Sequence, residues 1–250
     1  MQSVVLAFSG GVDSTLLLSA IKESGIRSLA VTSFSETMPE KEQRFAADMA
    51  KLLEADHRVI RTKELSNPEF SKNPVNRCFY CKSELFSRLT DIAHKEGYAF
   101  VVDGSNTDDL SDWRPGRQAA TEQGVRSPLT EAGLSKKEIR KLSKAMGLPT
   151  WSKLSSPCLS SRFPYGVEIT LDGLKRVELA EEFLKGLGFG ELRVRSHMDT
   201  ARIELCKDDI DRFSDSDLRK LVSTRLKELG FKYVCLDLEE FRSGNLNPKQ

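Results

Sequence analysis

Long apolar runs are missing from this 250-residue chain, and nothing in it approaches the ~18 consecutive hydrophobic residues of a membrane span. Met1-Gln2 lead directly into a strand-like segment without a basic flank or cleavage site, so no targeting segment is expected and the chain reads as cytoplasmic. An excess of charge is missing too: 38 Lys and Arg stand against 37 Asp and Glu, a formal net charge of +1. That excludes a generally basic surface holding long nucleic acid through many phosphate contacts, and leaves room for a local basic patch. Cysteine is scarce and odd in number, and five thiols in a reducing compartment do not make a disulfide framework. Cys78, Cys81, Cys158, Cys206 and Cys235 therefore need explaining by burial or by chemistry. Histidine is rarer still, and His57, His94 and His197 stand in no motif. What remains is ordinary, with 39% hydrophobic and 30% charged residues, enough to bury one large core or two modest ones and too apolar for a disordered chain.

Ser3 to Phe8 is a short apolar run that ends at Ser9-Gly10-Gly11, and Val12 to Ile21 then carries Leu at helical spacing. This predicts a buried strand, a glycine turn and a helix. Leu29–Phe34 and Val59–Thr62 read as strands, Pro39–Leu53 and Phe79–Lys95 as helices, and Tyr98 to Asp103-Gly104 as another strand ending in a turn. Strands alternating with helices imply right-handed crossovers and a parallel sheet covered on both faces. Ser105 to Gly133 lacks periodicity and reads as one long loop, of the kind more often a functional lid than filler. Helix Ser135–Met146 follows, its Lys136-Lys137-Glu138, Arg140 and Lys141 charges predicting a solvated face.

Beyond Gly147 the rhythm changes. Leu171–Leu187 and Leu218–Leu229 read as helices, Leu192–Ser196 and Ala201–Leu205 as a hairpin around Met198-Asp199, and Lys232–Leu236 as a strand. The expected fold is α/β: a parallel-sheet, Rossmann-like domain over 1–150, a linker or active-site loop over 151–166, and a smaller α+β domain over 167–250.

The chemistry concentrates first in Ser9-Gly10-Gly11-Val12-Asp13-Ser14-Thr15. Glycines let backbone amides converge, the following helix presents its positive end, and Ser9, Ser14 and Thr15 supply hydroxyls, which together make an anion cradle. The lysine of a GxxxxGK[ST] loop and a GxGxxG fingerprint are both absent. Asp13 inside a phosphate nest is repulsive unless a divalent cation lies between. The segment resembles the SGGxDS pyrophosphate loop of the N-type ATP pyrophosphatases, as do Asp103-Gly104 at a later strand end and the stretch from Pro128-Leu129 to Gly147-Leu148-Pro149. That resemblance implies an adenine-nucleotide α-hydrolase-like sheet, ATP with Mg²⁺ held by Ser9, Gly10, Gly11, Asp13, Ser14 and Thr15, and adenine near Ser33 or Phe34. Arg114 and Arg117 are candidates to stabilise charge at the α-phosphate.

Cys78-Phe79-Tyr80-Cys81 opens a predicted helix, and two thiols three apart at a helix start can ligate one metal as thiolates. Cys158 lies in Ser155-Ser156-Pro157-Cys158-Leu159-Ser160-Ser161-Arg162-Phe163-Pro164-Tyr165-Gly166. This string, with Arg193-Val194-Arg195, Ala201-Arg202-Ile203-Glu204-Leu205, Leu236-Asp237-Leu238 and Phe241-Arg242-Ser243-Gly244, closely resembles the LarE family over nearly the whole chain. The resemblance implies a sulfurtransferase that adenylylates the carboxylates of pyridinium-3,5-biscarboxylic acid mononucleotide and replaces AMP with sulfur, in the synthesis of a nickel-pincer cofactor. One branch of that family sacrifices a cysteine one residue before the Cys158 position, where this chain has Pro157. Cys78, Cys81 and Cys158 instead match the branch whose three thiolates hold a [4Fe-4S] cluster with one open iron, loaded from sulfide or another sulfur donor. By the same resemblance Ser161, Arg193 and Arg195 hold the mononucleotide phosphate, Glu181 helps to hold a metal, and related enzymes form homo-oligomers. A second acidic metal position falls on Arg212, beside Asp211, which puts that site in doubt.

Other readings stay open at this point. Cys78, Cys81 and Cys158 can be plain thiols, or zinc ligands with a fourth from Cys206, Cys235 or His197. Cys206 and Cys235 fit buried structural thiols. A cluster-dependent tRNA thiolase shares the loop and the cysteine pattern, and a zinc-stabilised nucleotide-binding regulator shares them without turnover.

Overall fold

The computed structural model describes residues 1–110 and 115–242. Its strands are β1 (Ser3–Ala7), β2 (Arg27–Phe34), β3 (His57–Arg61), β4 (Phe100–Val102), β5 (Leu192–His197), β6 (Thr200–Leu205) and β7 (Tyr233–Leu236). Its α-helices are α1 (Val12–Glu23), α2 (Glu40–Leu52), α3 (Pro68–Ser71), α4 (Arg77–Glu96), α5 (Pro115–Glu122), α6 (Pro128–Glu131), α7 (Lys136–Ala145), α8 (Leu171–Gly186), α9 (Lys207–Ile210) and α10 (Ser216–Glu228). Among the described residues no helix is long and apolar enough to cross a membrane.

The chain divides into two compact units, Met1–Asn67 with Asn76–Pro157, and Pro68–Val75 with Cys158–Gln250. These borders differ from the expected ones at 150 and 167. Residues 151–157 belong to the first unit and 158–166 to the second, which also recruits Pro68–Val75. The recruitment is made by hydrogen bonds that no sequence pattern announces. Asn73, fully buried and left-handed at φ +55°, donates from Nδ2 to the Phe163 and Pro164 carbonyls, while Gly166 N donates to Asn73 O and Ile169 N to Ser71 O.

In the first unit four parallel strands run in the order β3-β2-β1-β4. The apolar run of β1 is buried on both sides. Val4 and Leu6 point into a core completed by α1, α2 and Ile139 of α7, and Val5 points into a second core with Phe86 and Leu89 of α4 and Ala119 of α5. Period-2 alternation puts neighbours on opposite faces, so an unbroken hydrophobic strand is stable only with helices on both sides. The fully buried Leu6, Leu18, Phe86 and Leu89 each contribute roughly 1.5–3 kcal/mol by leaving water. The chain runs outward from β1 through β2 to β3, then returns to place β4 on the other side of β1. The carboxyl ends of β1 and β4 therefore flank a topological switch point, where open α/β sheets bind ligands.

The stretch expected as one loop, Ser105 to Gly133, is largely organised in its described part. It holds a 3-10 turn at Thr107–Leu110, α5 and α6, and Arg126 bridges to Val102. Pro115 and Pro128 start these short helices, and Gly124 and Gly133 follow them at φ +66° and +72°. Helices of eight and four residues are too brief to leave a periodic signal.

In the second unit β5 and β6 form the expected antiparallel hairpin, turned through Met198 at φ +54°, and β7 adds in parallel to β6. Its core is drawn from β5 and β6 (Leu192, Val194, Ile203, Leu205), α8 (Leu174, Val177, Leu184) and α10 (Val222, Leu226).

Candidate functional site

At the switch point the β1–α1 turn forms the predicted cradle. Gly10 adopts φ +65°, and a Cβ there would lie 2.8 Å from Ala46 Cα, so conformation and space both require glycine. Gly11 is the N-cap of α1 with no side-chain cap, leaving the first-turn amides of α1 without a side-chain acceptor. Ser9 N donates to Ser14 Oγ at 3.3 Å, Ser14 Oγ donates to Gly11 O, and the Ser9 and Ser14 hydroxyls lie 3.1 Å apart. Thr15 is fully buried, and its Oγ1 has no hydrogen-bond partner among the described residues.

Asp103 and Gly104, expected at the nucleotide site, border this turn from the end of β4. A Cβ on Gly104 would stand 3.0 Å from Ser14 N, so glycine permits the close approach to α1. The Asp103 carboxylate accepts from Ser105 N, Ser105 Oγ and Ser127 Oγ, and so organises the loop after β4. Ser33, near the end of β2, pairs with Thr62 Oγ1 at 2.5 Å, and Thr62 donates to the buried Glu64. Arg117 donates to the carbonyls of Asp109 and Leu110, while Arg114 lies outside the described residues.

Beside the cradle is a cleft of 170 Å³, lined by Ser9, Gly11 and Asp13 together with Lys136, Arg140 and Lys153. Drug-sized ligands need roughly 300 Å³ or more, so this space suits a phosphate chain and not a whole nucleotide. The three cations were not expected here. Lys136 and Arg140 were read as a solvated face, yet they lie four apart on the side of α7 that meets the loop. Lys136 Nζ ion-pairs with Asp13 Oδ2 at 2.5 Å, and Asn106 Nδ2 donates to Asp13 Oδ1 at 3.4 Å. Arg140 donates to the Trp151 and Lys153 carbonyls at 2.7 and 2.8 Å. Lys153 lies 2.7 Å from Glu42 and 3.5 Å from Gly10 O, with its ammonium over the Phe45 ring. The sequence signal was the i, i+4 pair of cations flanking buried Ile139.

The proposed sulfur ligands fall in both units. Cys78 and Cys81 stand one turn apart at the start of α4, Cys78 exposed and Cys81 half-buried. The i, i+3 spacing puts both thiols on one helix face, and the amino-terminal dipole favours thiolate, so this donor pair fits thiolate ligation of iron. Cys81 Sγ lies 3.7 Å from Glu64 Oε1, where burial pushes the Glu64 carboxyl above its ordinary range. Cys158 belongs to the second unit, half-buried ahead of the turn Leu159–Arg162. Among the described residues no three His, Cys, Asp or Glu side chains form a metal-binding group. Cys206 is half-buried and donates to Glu191 O; Cys235, expected to be a core thiol, is exposed because alternate residues of β7 face solvent.

In the second unit Arg193 and Arg195 lie two apart on β5 and are both buried, at 7% and 4% exposure. Arg195 pairs with Glu204 at 2.7 Å and donates to Ser161 O at 2.8 Å. Ser161 Oγ accepts from Arg162 at 2.9 Å, and Arg162 makes two 2.8 Å bonds to Glu181. Two guanidiniums, Arg162 and Arg195, thus bond Ser161; Arg162, and Glu204 as the carboxylate partner of Arg195, were not singled out from sequence. Burial first, then Arg162 alongside, hold the Arg193 guanidinium below its ordinary pKa. Glu181, expected as a metal ligand, is taken up by Arg162 and by Val194 N. Burial would raise its pKa, but the Arg162 bonds outweigh that and hold the carboxyl below its usual range. Arg212 stacks on Phe189 and donates to Leu187 and Gly188 carbonyls, and so clamps a turn. Ser243 and Gly244 lie outside the described residues.

No family model matches the chain. It is 42% identical over 249 residues, 99% of its length and 90% of the relative's, to the pyridinium-3,5-bisthiocarboxylic acid mononucleotide synthase of Lactiplantibacillus plantarum. The chain belongs to the LarE family of sulfurtransferases. Another relative, an uncharacterized protein of Synechocystis sp., is 47% identical over the same share of the chain and 92% of its own length. A probable tRNA sulfurtransferase of Methanothermobacter thermautotrophicus is 27% identical over 155 residues, 58% of this chain and 40% of that protein. LarE-family likeness spans both units, whereas the tRNA enzyme covers only part of the chain.

Proposed function

We propose that this LarE-family chain adenylylates the carboxylates of pyridinium-3,5-biscarboxylic acid mononucleotide with ATP and replaces AMP with sulfur. The observation that carries the reading is the anion cradle at the β1–α1 turn, open at the switch point and backed by lysines. In the first step a substrate carboxylate oxygen attacks the α-phosphorus, the bond to the bridging oxygen breaks, and pyrophosphate leaves. The cradle amides and Ser9 and Ser14 hold the phosphates, and Asp13, a carboxylate at the mouth of the loop, is suited to hold Mg²⁺, which neutralises the leaving group. The acyl adenylate then accepts sulfide at its carbonyl carbon and releases AMP, so each carboxylate exchanges one oxygen for sulfur without net oxidation.

Arg193, Arg195 and Ser161 receive the substrate phosphate. Among the described residues the nearest carboxylate ion-paired to Arg193 is Glu191 at 3.9 Å, so a phosphate dianion would supply a closer counter-charge to the buried guanidinium. Cys78, Cys81 and Cys158 are the residues that would hold a [4Fe-4S] cluster, which would supply the transferable sulfide. Pro157, standing where the sacrificial branch has cysteine, favours this replenishable scheme.

The test is anaerobic turnover of the iron-reconstituted protein with ATP, Mg²⁺, sulfide and the mononucleotide, followed by mass spectrometry. Dithiolated mononucleotide in excess of the chain, with AMP and pyrophosphate, supports the reading. Sulfur incorporated into tRNA and not into the mononucleotide overturns it in favour of a thiolase, and zinc without pyrophosphate release overturns it in favour of a regulator.

A further inference from the structure

We propose that Asn73 is a positioning residue for the cluster, a buried clamp that fastens the segment carrying Cys158 to the one that leads into Cys78. The inference rests on the proposal that these thiolates hold the cluster, and adds to it the side chain that sets the register between their two stretches of chain.

Asn73 is fully buried, and its backbone takes φ +55°, a left-handed conformation uncommon outside glycine. Such a conformation persists only where the surroundings hold it. Here the side-chain amide and the flanking backbone hold it together. Nδ2 donates to Pro164 O at 2.7 Å and to Phe163 O at 3.3 Å, Asn73 O accepts from Gly166 N at 2.8 Å, and Asn73 N closes its own turn on Phe70 O. Ser71 O accepts from Ile169 N at 2.8 Å. Phe70 is the one buried apolar side chain of Pro68–Val75, so these bonds carry much of the attachment. Apolar packing alone would let two stretches slide past each other, whereas directional bonds to successive carbonyls fix their register.

From the clamp each stretch leads to a thiol within a few residues. Cys158 stands five positions before Phe163, and its carbonyl accepts from Ser161 N, Ser161 Oγ and Arg162 Nη1, while Arg162 is itself pinned by Glu181. Phe163 is buried against Gly173, where a Cβ would come within 3.0 Å of the phenyl ring. The turn that bears Cys158 is therefore rigid up to the two carbonyls that Asn73 takes. Along the other stretch Cys78 stands five positions after Asn73, a span of no more than about 18 Å even when fully extended. Pro74 fixes one torsion of that span, and Phe79 N donates to Asn76 O where α4 begins. Two thiols that must reach one cluster are thus leashed to a single buried amide.

The experiment uses the full chain, reconstituted anaerobically with iron and sulfide, and reads iron per chain, the visible sulfur-to-iron absorbance and the rate at which a chelator strips the iron. Asn73→Gly keeps the left-handed backbone and loses the amide, and Asn73→Asp keeps the shape and loses the donor. Each should speed chelation about tenfold or more, because the Cys158 thiolate loses effective concentration at the metal. The far-ultraviolet dichroism of the iron-free variants should match wild type, and Val75→Ala, exposed in the same segment, should hold iron as wild type does. Wild-type iron content, absorbance and chelation rate in folded Asn73→Gly overturns the proposal, because the residue then serves its backbone conformation alone. Joint loss of iron and of dichroism in both variants overturns it too, in favour of a purely structural role. Iron uptake and absorbance unchanged by Cys158→Ser refute the cluster reading itself.

Discussion

Arg162 and Glu181 show how much a single pair can hold. Both side chains are nearly inaccessible, at 2% and 4%, and two parallel bonds join them. Removing the cation leaves the buried carboxylate with the Val194 amide and only the more distant Lys185 ammonium at 4.0 Å, so Arg162→Met should cost about 3 kcal/mol in urea unfolding. The pH dependence has a definite sign. Glu181 titrates below its ordinary value of 4.5 in the folded chain, so its contribution is complete above that value and is lost as the pH falls through the folded pKa. The stability gap between wild type and Glu181→Gln should therefore be constant near neutrality and shrink in acid, as thermal melts across pH would record. Gly10→Ala faces both a left-handed backbone and the Ala46 contact, and should lose 1 kcal/mol or more, roughly, together with nucleotide binding measured by calorimetry. The glycine was legible in the sequence because the local turn already demands it, and the Ala46 contact only adds to that demand. The Arg162–Glu181 pair was not, because nothing in the spacing of two residues 19 apart says that a turn and a helix will enclose them together.

Helix α7 carries the same lesson over a longer reach. Its existence and limits follow from Ser135, Glu138 and the apolar spacing, and Ser135→Ala should cost about 1 kcal/mol by removing the cap. Which of its charges face water does not follow, since Lys136, Lys137, Arg140 and Lys141 are alike in sequence. Packing of Ile139 against α1 turns Lys136 and Arg140 to the loop and leaves Lys137 and Lys141 outside. Arg140→Met should then free the backbone it clamps, seen as faster amide exchange over residues 151–156 with β1 protection unchanged. The organised part of 105–133 was missed for a related reason. Its order comes from proline starts and glycine stops, which act over a few residues, and from bonds that reach across the stretch, such as Ser127 Oγ to Asp103 and Thr107 N to Leu134 O.

Across the molecule, each unit closes its own apolar core, and none of the five thiols is among the buried core residues. Chelation of iron from reconstituted protein should accordingly leave the far-ultraviolet dichroism unchanged, while Cys78→Ser, Cys81→Ser and Cys158→Ser should each lower the iron bound per chain. The α/β class, the order of the strands and the longer helices, the strand–glycine turn–helix at Ser9–Thr15 and the family were legible along the chain, because period, glycine turns and contiguous motifs are local properties of covalent neighbours. The recruitment of Pro68–Val75 into the second unit, the capture of Glu181 by Arg162 and the turning of Lys136 onto Asp13 were settled by folding. Each joins groups far apart in sequence, and such groups meet only where burial makes an unpaired charge or an unbonded carbonyl too costly to leave alone.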